Sequence, residues 1–135
     1  MTKHTQLLGL DVGAARIGVA LADTGVRIAV PGNVIEVNGH ELAAVAELVL
    51  KHTINTIVIG YPRNQSGEPT QQTAYVEAFA NTLKDIDAKI VFQDESLTSV
   101  IAEQRLNARR QHYTKGDIDS EAAAIILQDY MEQNL

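Results

Sequence analysis

Two short apolar runs, residues 55–61 (NTIVIGY) and 89–93 (KIVFQ), do most to limit what this chain can fold into. Both are bounded by turn residues or charges and are too short for helices, which suits strands buried on both faces of a parallel sheet. Parallel neighbours need a crossover connection, and helical patterns stand where the crossovers belong. Residues 40–52 carry Leu42, Val45, Ala46, Val49 and Leu50 at helical spacing. Residues 71–84 carry Ala74, Ala78, Phe79 and Leu83 with a polar opposite face. Upstream, residues 6–12 (QLLGLDV) and 17–22 (IGVALA) flank Gly13-Ala14-Ala15-Arg16, the pattern of a strand, a tight turn and a strand. Residues 26–37 make a third run interrupted by Pro31-Gly32, read as a strand with a central irregularity. Residues 62–70 form a polar loop, and residues 98–108 and 119–133 read as helices. The predicted fold is α/β: a central mixed five-stranded sheet, three antiparallel strands and then two parallel ones, flanked by helices.

With 135 residues, no repeat and no Pro/Gly/Ser-rich linker, residues 1–135 are expected to form one domain. Cysteine is absent, which excludes disulfide frameworks, thiolate zinc sites and cysteine nucleophiles. No apolar run approaches the ~18 residues that cross a bilayer, and residues 1–6 (MTKHTQ) lack a signal-peptide pattern. A cytoplasmic protein without membrane association is expected. Eleven Lys+Arg against seventeen Asp+Glu leave a net charge of −6, which argues against gripping nucleic acid by bulk electrostatics.

Three acidic positions lie where a charge is expensive. Asp11 stands inside the first apolar strand, Asp94 or Glu95 ends the KIVFQ strand, and Asp119 opens a helix that continues with Ala122, Ala123 and Ile126 on one face. A buried carboxylate shifts its pKa, pairs, or binds a metal. Asp119 reads either as a helix cap, a role for which Asp117 and Ser120 compete, or as a ligand. Taken alone, Asp94-Glu95 reads as a solvated pair, whereas a mid-strand Asp11 before a glycine turn has no such ordinary reading. Carboxylates on adjacent elements suit Mg²⁺ or Mn²⁺, hard cations that take oxygen ligands and serve in phosphodiester cleavage. The four histidines, His4, His40, His52 and His112, are scattered without zinc-site spacing.

Two features bear on phosphate. The turn Gly13-Ala14-Ala15-Arg16 offers small residues and a guanidinium, although no P-loop pattern occurs anywhere. Residues 105–115 hold Arg105, Arg109, Arg110, Lys115 and His112 and no acid, so the acidic total hides a basic segment leading into the Asp119 helix.

In this order these residues resemble the YqgF/RuvX family of RNase H-like nucleases across essentially the whole chain. The family's D-x-G-x-x-x-I-G-V-A segment is matched by residues 11–20, its G-x-P-x-N loop by residues 60–64, its D-E-R-L-T-[ST] by residues 94–99, and its V-D-x-x-A-A-x-x-I-L-Q by residues 118–128. Ser96 stands where many members carry Arg. The resemblance implies an RNase H-like fold and an acidic triad of Asp11, Glu95 and Asp119, which selects Glu95 over Asp94. It implies that these three bind Mg²⁺ or Mn²⁺ and catalyse hydrolysis of nucleic-acid phosphodiesters; Arg16, Asn64, Thr98, Arg109, Arg110 and Lys115 are the candidate nucleic-acid contacts. It points to structured RNA, namely precursor 16S rRNA matured at its 5′ end, with ribosomal association. The alternatives are a Holliday junction resolvase acting on branched DNA, and a non-catalytic RNA- or ribosome-binding module. Both a monomer and a homodimer are compatible with these residues.

Overall fold

The computed structural model describes residues 5–62, 70–95, 98–109 and 112–135, and only the backbone of residues 98 and 99. The elements run β1 (Gln6–Val12), β2 (Arg16–Asp23), β3 (Val30–Pro31), β4 (Ile35–Glu36), α1 (Glu41–His52), β5 (Ile54–Pro62), α2 (Gln71–Thr82), β6 (Lys89–Glu95), α3 (Thr98–Ala108) and α4 (Lys115–Asn134). The sheet order is β3-β2-β1-β5-β6, with β4 also on β2. β1 pairs antiparallel with β2 and parallel with β5, and β5 pairs parallel with β6. The expected mixed sheet is therefore present, with one refinement. The third run is two short bridges to β2 rather than one strand, separated by residues 32–34, and residues 26–29 lie outside any strand.

Alternation along β1 divides the molecule into two layers. Leu8, Leu10 and Val12 pack into an apolar cluster with Val45 and Val49 of α1 and Val76 and Ala80 of α2. Leu7 joins the opposite cluster, built with Ala20 and Ala22 of β2 and Ala123, Ile126 and Leu127 of α4. Asp11 shares parity with Leu7, so it faces α4.

The last helix starts earlier than its apolar pattern indicates. Thr114 is its N-cap, accepting from the Asp117 amide at 3.2 Å, while the Asp117 carboxylate accepts from the Thr114 amide at 2.8 Å. That reciprocal box satisfies two otherwise orphaned donors and starts α4 at Lys115 instead of Asp119. Asp119 is thus released from capping and stands a full turn inside the helix. α2 ends at Thr82, two residues short of the expected boundary.

Candidate active site

Asp11, Glu95 and Asp119 come from three elements that meet at one end of the sheet. Across the face that carries α4, Asp11 pairs with Gly18 of β2. Leu10 pairs with Ile59, which brings Gly60 of β5 level with Asp11 on its other side. Asp11 is therefore flanked by glycine on both neighbouring strands, at a strand spacing of about 4.8 Å.

Each glycine leaves room for one partner acid. A Cβ on Gly18 would lie 1.9 Å from the Asp119 carbonyl oxygen, so α4 rests its second turn directly on β2 at this point. The Ser120 hydroxyl accepts from the Val19 amide beside it, at 3.4 Å. A Cβ on Gly60 would lie 3.0 Å from Cδ and Oε2 of Glu95 and 2.6 Å from Cδ1 of Ile126. Glu95 pairs with Pro62 at the end of β6 and folds its carboxylate back over Gly60. Two missing side chains thus let a helix and a carboxylate close in on Asp11 from both sides.

The electrostatics agree with that packing. Burial, first, and then the negative charges of Glu95 and Asp119 push the Asp11 carboxyl up to about 8. Arg16, at the start of β2, donates from Nε to Oδ2 of Asp119 at 2.7 Å, with both side chains partly exposed. The first turn of α2 ties down the neighbouring strand ends. Gln72 donates to the Val12 carbonyl at 2.8 Å and Thr73 to the Pro62 carbonyl at 2.5 Å. Among the described residues, no three acidic or histidine side chains form a ready-made metal cage.

The expected nucleic-acid contacts fall in different places. Arg16 stands at the acids, and Lys115 is exposed on the first turn of α4, one turn before Asp119. Arg109 is turned elsewhere: its two Nη atoms bond both carboxylate oxygens of Glu121, at 3.2 and 3.0 Å, with Arg105 3.8 Å away. Thr98 opens α3 three residues after Glu95. Asn64 and Arg110, like Ser96, lie outside the described residues.

Sequence reasoning missed Gly18 and Gly60 as positioning residues, although both stand inside the motif segments. It also missed Glu121, buried with only 3% of its surface exposed. A charge beside Ala122-Ala123-Ala124 on a buried helix was the available signal.

A family model described as "RuvX: Holliday junction resolvase" matches residues 5–133. The chain belongs to the RuvX family. A relative from Chloroflexus aurantiacus (strain J-10-fl), described as "Putative pre-16S rRNA nuclease", is 40% identical over 131 residues, covering 93% of this chain and 86% of its own. A Synechocystis relative of the same description is 37% identical over 137 residues, covering 98% of this chain and 90% of its own. Among solved structures, Thermus thermophilus RuvC in complex with Holliday junction substrate matches with a TM-score of 0.58 at 14% identity, covering 96% of each chain. The Fowlpox virus resolvase with Holliday junction DNA matches with a TM-score of 0.59 at 10% identity, covering 97% of this chain and 99% of its own. At such identities these two establish the fold, which is the RNase H-like architecture expected from the RuvX motifs.

Proposed function

We propose that this RuvX-family protein is a divalent-metal-dependent endonuclease that hydrolyses phosphodiester bonds in structured RNA, acting on the 5′ end of precursor 16S rRNA in the cytoplasm. The observation that carries this reading is Asp11 held between two glycines, with Glu95 and Asp119 packed into the space those glycines leave. Asp11 on β1, Glu95 at the end of β6 and Asp119 on α4 would supply hard-oxygen donors that suit Mg²⁺ or Mn²⁺, and a cation would offset the burial and the repulsion that together lift the Asp11 pKa. When bound, such ions supply Lewis-acid stabilisation and an activated water.

The chain's own residues do the rest. Asp11, Glu95 and Asp119 would hold such ions, each on an element packed against the sheet. Arg16 and Lys115 flank the acids and orient backbone phosphates, which positions a strand without reading its sequence. Asn64, Thr98 and Arg110 are assigned to the same nucleic-acid contact from the sequence alone. Arg109 contributes through the Glu121 pair, holding the basic segment against α4.

Precursor 16S rRNA is favoured over branched DNA because the relatives at 37–40% identity carry that description. Ribosomal association accompanies that substrate. The second reading, resolution of four-way DNA junctions, is supported by the family description. Symmetric resolution needs two active sites and hence a stable dimer, so a monomeric mass in solution counts against it.

The test compares wild type with Asp11→Asn on labelled precursor rRNA and on four-way junction DNA, with Mg²⁺, Mn²⁺ or EDTA. Losing the metal's several kcal/mol of transition-state stabilisation lowers cleavage by about 10³-fold or more, with the fold intact. Undiminished cleavage by Asp11→Asn would falsify the assignment. Tight binding with no metal-dependent cutting by wild type would leave only the non-catalytic RNA-binding reading.

A further inference from the structure

Two carboxylates stand within reach of Arg16, and only one of them is used. Nε of Arg16 donates to Oδ2 of Asp119 at 2.7 Å, the only side-chain bond of either residue among the described residues. Beside it in the sheet, β4 pairs antiparallel with the start of β2, and the residue directly opposite Arg16 is Glu36. Ile35 pairs with Ile17, and the Val37 amide donates to the Ala15 carbonyl at 3.0 Å, so Glu36 is fixed in register from both sides. Directly opposite residues share a face of the sheet, with Cα atoms about 5 Å apart. Ile35 and Ile17 are buried in the layer formed with α1 and α2, which turns Glu36 and Arg16 to the face that carries α4. Glu36 is exposed and makes no side-chain hydrogen bond or ion pair among the described residues.

A cross-strand Arg–Glu pair is a favourable arrangement, yet Arg16 reaches to the helix instead. Electrostatics explain the choice. Asp119 is three-quarters buried and belongs with Asp11 and Glu95, so a guanidinium there is attracted by gathered negative charge at reduced effective dielectric. Glu36 faces water, where an ion pair contributes little. A divalent cation among the acids reverses that order, because it offsets their charge and repels the guanidinium with two unit charges. Glu36 is then the carboxylate still open to Arg16.

We propose that Arg16 has two seats, Asp119 when the acids hold no cation and Glu36 when they do, and that Glu36 thereby tunes the affinity of the acids for Mg²⁺ or Mn²⁺. The role in metal loading rests on the metal-binding reading above, whereas the two seats do not. Glu36 is a positioning residue that acts through Arg16. It gives the guanidinium a place to go as the cation enters, and it keeps that guanidinium beside the acids, where a backbone phosphate would meet it.

The first test is calorimetric titration of the full chain with Mn²⁺, for wild type, Arg16→Gln, Glu36→Gln and the double variant. Arg16→Gln removes the competing cation and should bind Mn²⁺ about tenfold more tightly. Glu36→Gln leaves the guanidinium only the Asp119 seat and should bind Mn²⁺ about threefold more weakly. The double variant should match Arg16→Gln within about twofold, since Glu36 acts only through Arg16. A Glu36→Gln effect of equal size in both backgrounds would show direct attraction of the metal by Glu36 and overturn the proposal. Weaker binding by Arg16→Gln would also overturn it, because the arginine would then merely prop Asp119.

The second test needs no metal. The Nε–Hε resonance of Arg16, assigned by its loss in Arg16→Gln, should shift in Asp119→Ala and shift again when Glu36→Gln is added. In wild type, Mg²⁺ should drive the resonance toward its Asp119→Ala position. An Asp119→Ala resonance indifferent to Glu36→Gln would eliminate the second seat. Wild type that binds neither ion would remove the metal reading and the loading role with it, and the Asp119→Ala comparison would still decide the two seats.

Discussion

The two faces of β1 are built from the same seven residues and do opposite things. One face presents Leu8, Leu10 and Val12 to α1 and α2, large side chains that fill space and are at most 3% exposed. The other presents Leu7, Gly9 and Asp11 to α4, where alanines and glycines bring helix and sheet close. A Cβ on Gly9 would touch Leu127 at 2.9 Å, as one on Gly18 would touch Asp119. The first face derives its stability from buried volume. The second gives up volume to bring backbone and carboxylates together, and it tolerates the resulting repulsion at Asp11. The Leu face holds the scaffold still, and the Gly face exploits that rigidity.

Leu10→Ala breaks the first face and should have the largest effect on stability. Leu10 is fully buried, so the lost transfer energy and the cavity left behind should cost about 2–5 kcal/mol by urea denaturation. The raised Asp11 pKa should survive in the folded fraction, because its causes lie on the other face.

Gly18→Ala breaks the second face with a single methyl. The new Cβ would overlap the Asp119 backbone, which cannot rotate away, so α4 must shift as a unit. The expected penalty is roughly 3 kcal/mol, the upper part of the overpacking range. Unlike Leu10→Ala, it should also separate Asp119 from Asp11 and Arg16, lowering metal affinity measured by calorimetry. Unchanged affinity would mean that the close contact at Gly18 does not position Asp119.

The first face was far easier to read than the second. Short apolar runs and helical spacing identified the four long strands, the crossovers and the presence of all four helices, while the 26–37 run proved to be two short bridges, because burial of large side chains marks a sequence more clearly than edge pairing does. Asp11 stood out because a charge in an apolar strand has few ordinary explanations. Glu95 was chosen over Asp94 by resemblance alone, since strand parity does not say which face is buried. The start of α4 was missed because the hydrophobic pattern begins only at Asp119. Thr114 and Asp117 form a capping box with Asp in place of the usual Glu or Gln. The destination of Arg109 was also illegible: its partner Glu121 lies 12 residues away, and only the packing of α3 on α4 joins them. Residues 105–115 look uniformly basic in sequence, yet two of those guanidiniums face a buried acid.

Burial of Asp11, with repulsion from Glu95 and Asp119 added to it, gives the second face a pH dependence of its own. A carboxyl raised to about 8 in the fold keeps its proton where the unfolded chain, titrating near 4, has lost it. The Asp11 contribution to stability should therefore be full below about pH 4 and be lost as pH rises toward 8, with a slope of at most about 1.4 kcal/mol per unit. Partial exposure of Asp11 and relaxation around it make the total smaller than that ceiling implies, about 2 kcal/mol across the window. In EDTA, thermal melts of wild type should show the decline and Asp11→Asn should not, leaving the variant more stable at pH 8 and similar at pH 4. Adding Mg²⁺ or Mn²⁺ should raise wild-type Tm most at the alkaline end, since ions binding the folded state stabilise it by mass action. A wild-type curve as flat as that of Asp11→Asn would remove the electrostatic basis for gathering the acids.

The smallest effect expected separates the helix that carries Asp119 from the contact that holds it. Thr114→Ala removes the cap of α4 while leaving Gly18, Ser120 and Arg16 untouched. An N-cap threonine is worth about 1 kcal/mol, so urea denaturation should register a loss of that order. Frayed α4 residues should be confined to the first turn, with amide exchange accelerated at Asp117 and Ile118 and unchanged from Asp119 onward. Metal affinity should stay within about twofold of wild type, because the second turn is pinned to β2 independently of the first. If instead Thr114→Ala weakens metal binding as much as Gly18→Ala does, the cap would be what aims Asp119, and the glycine contact would be incidental.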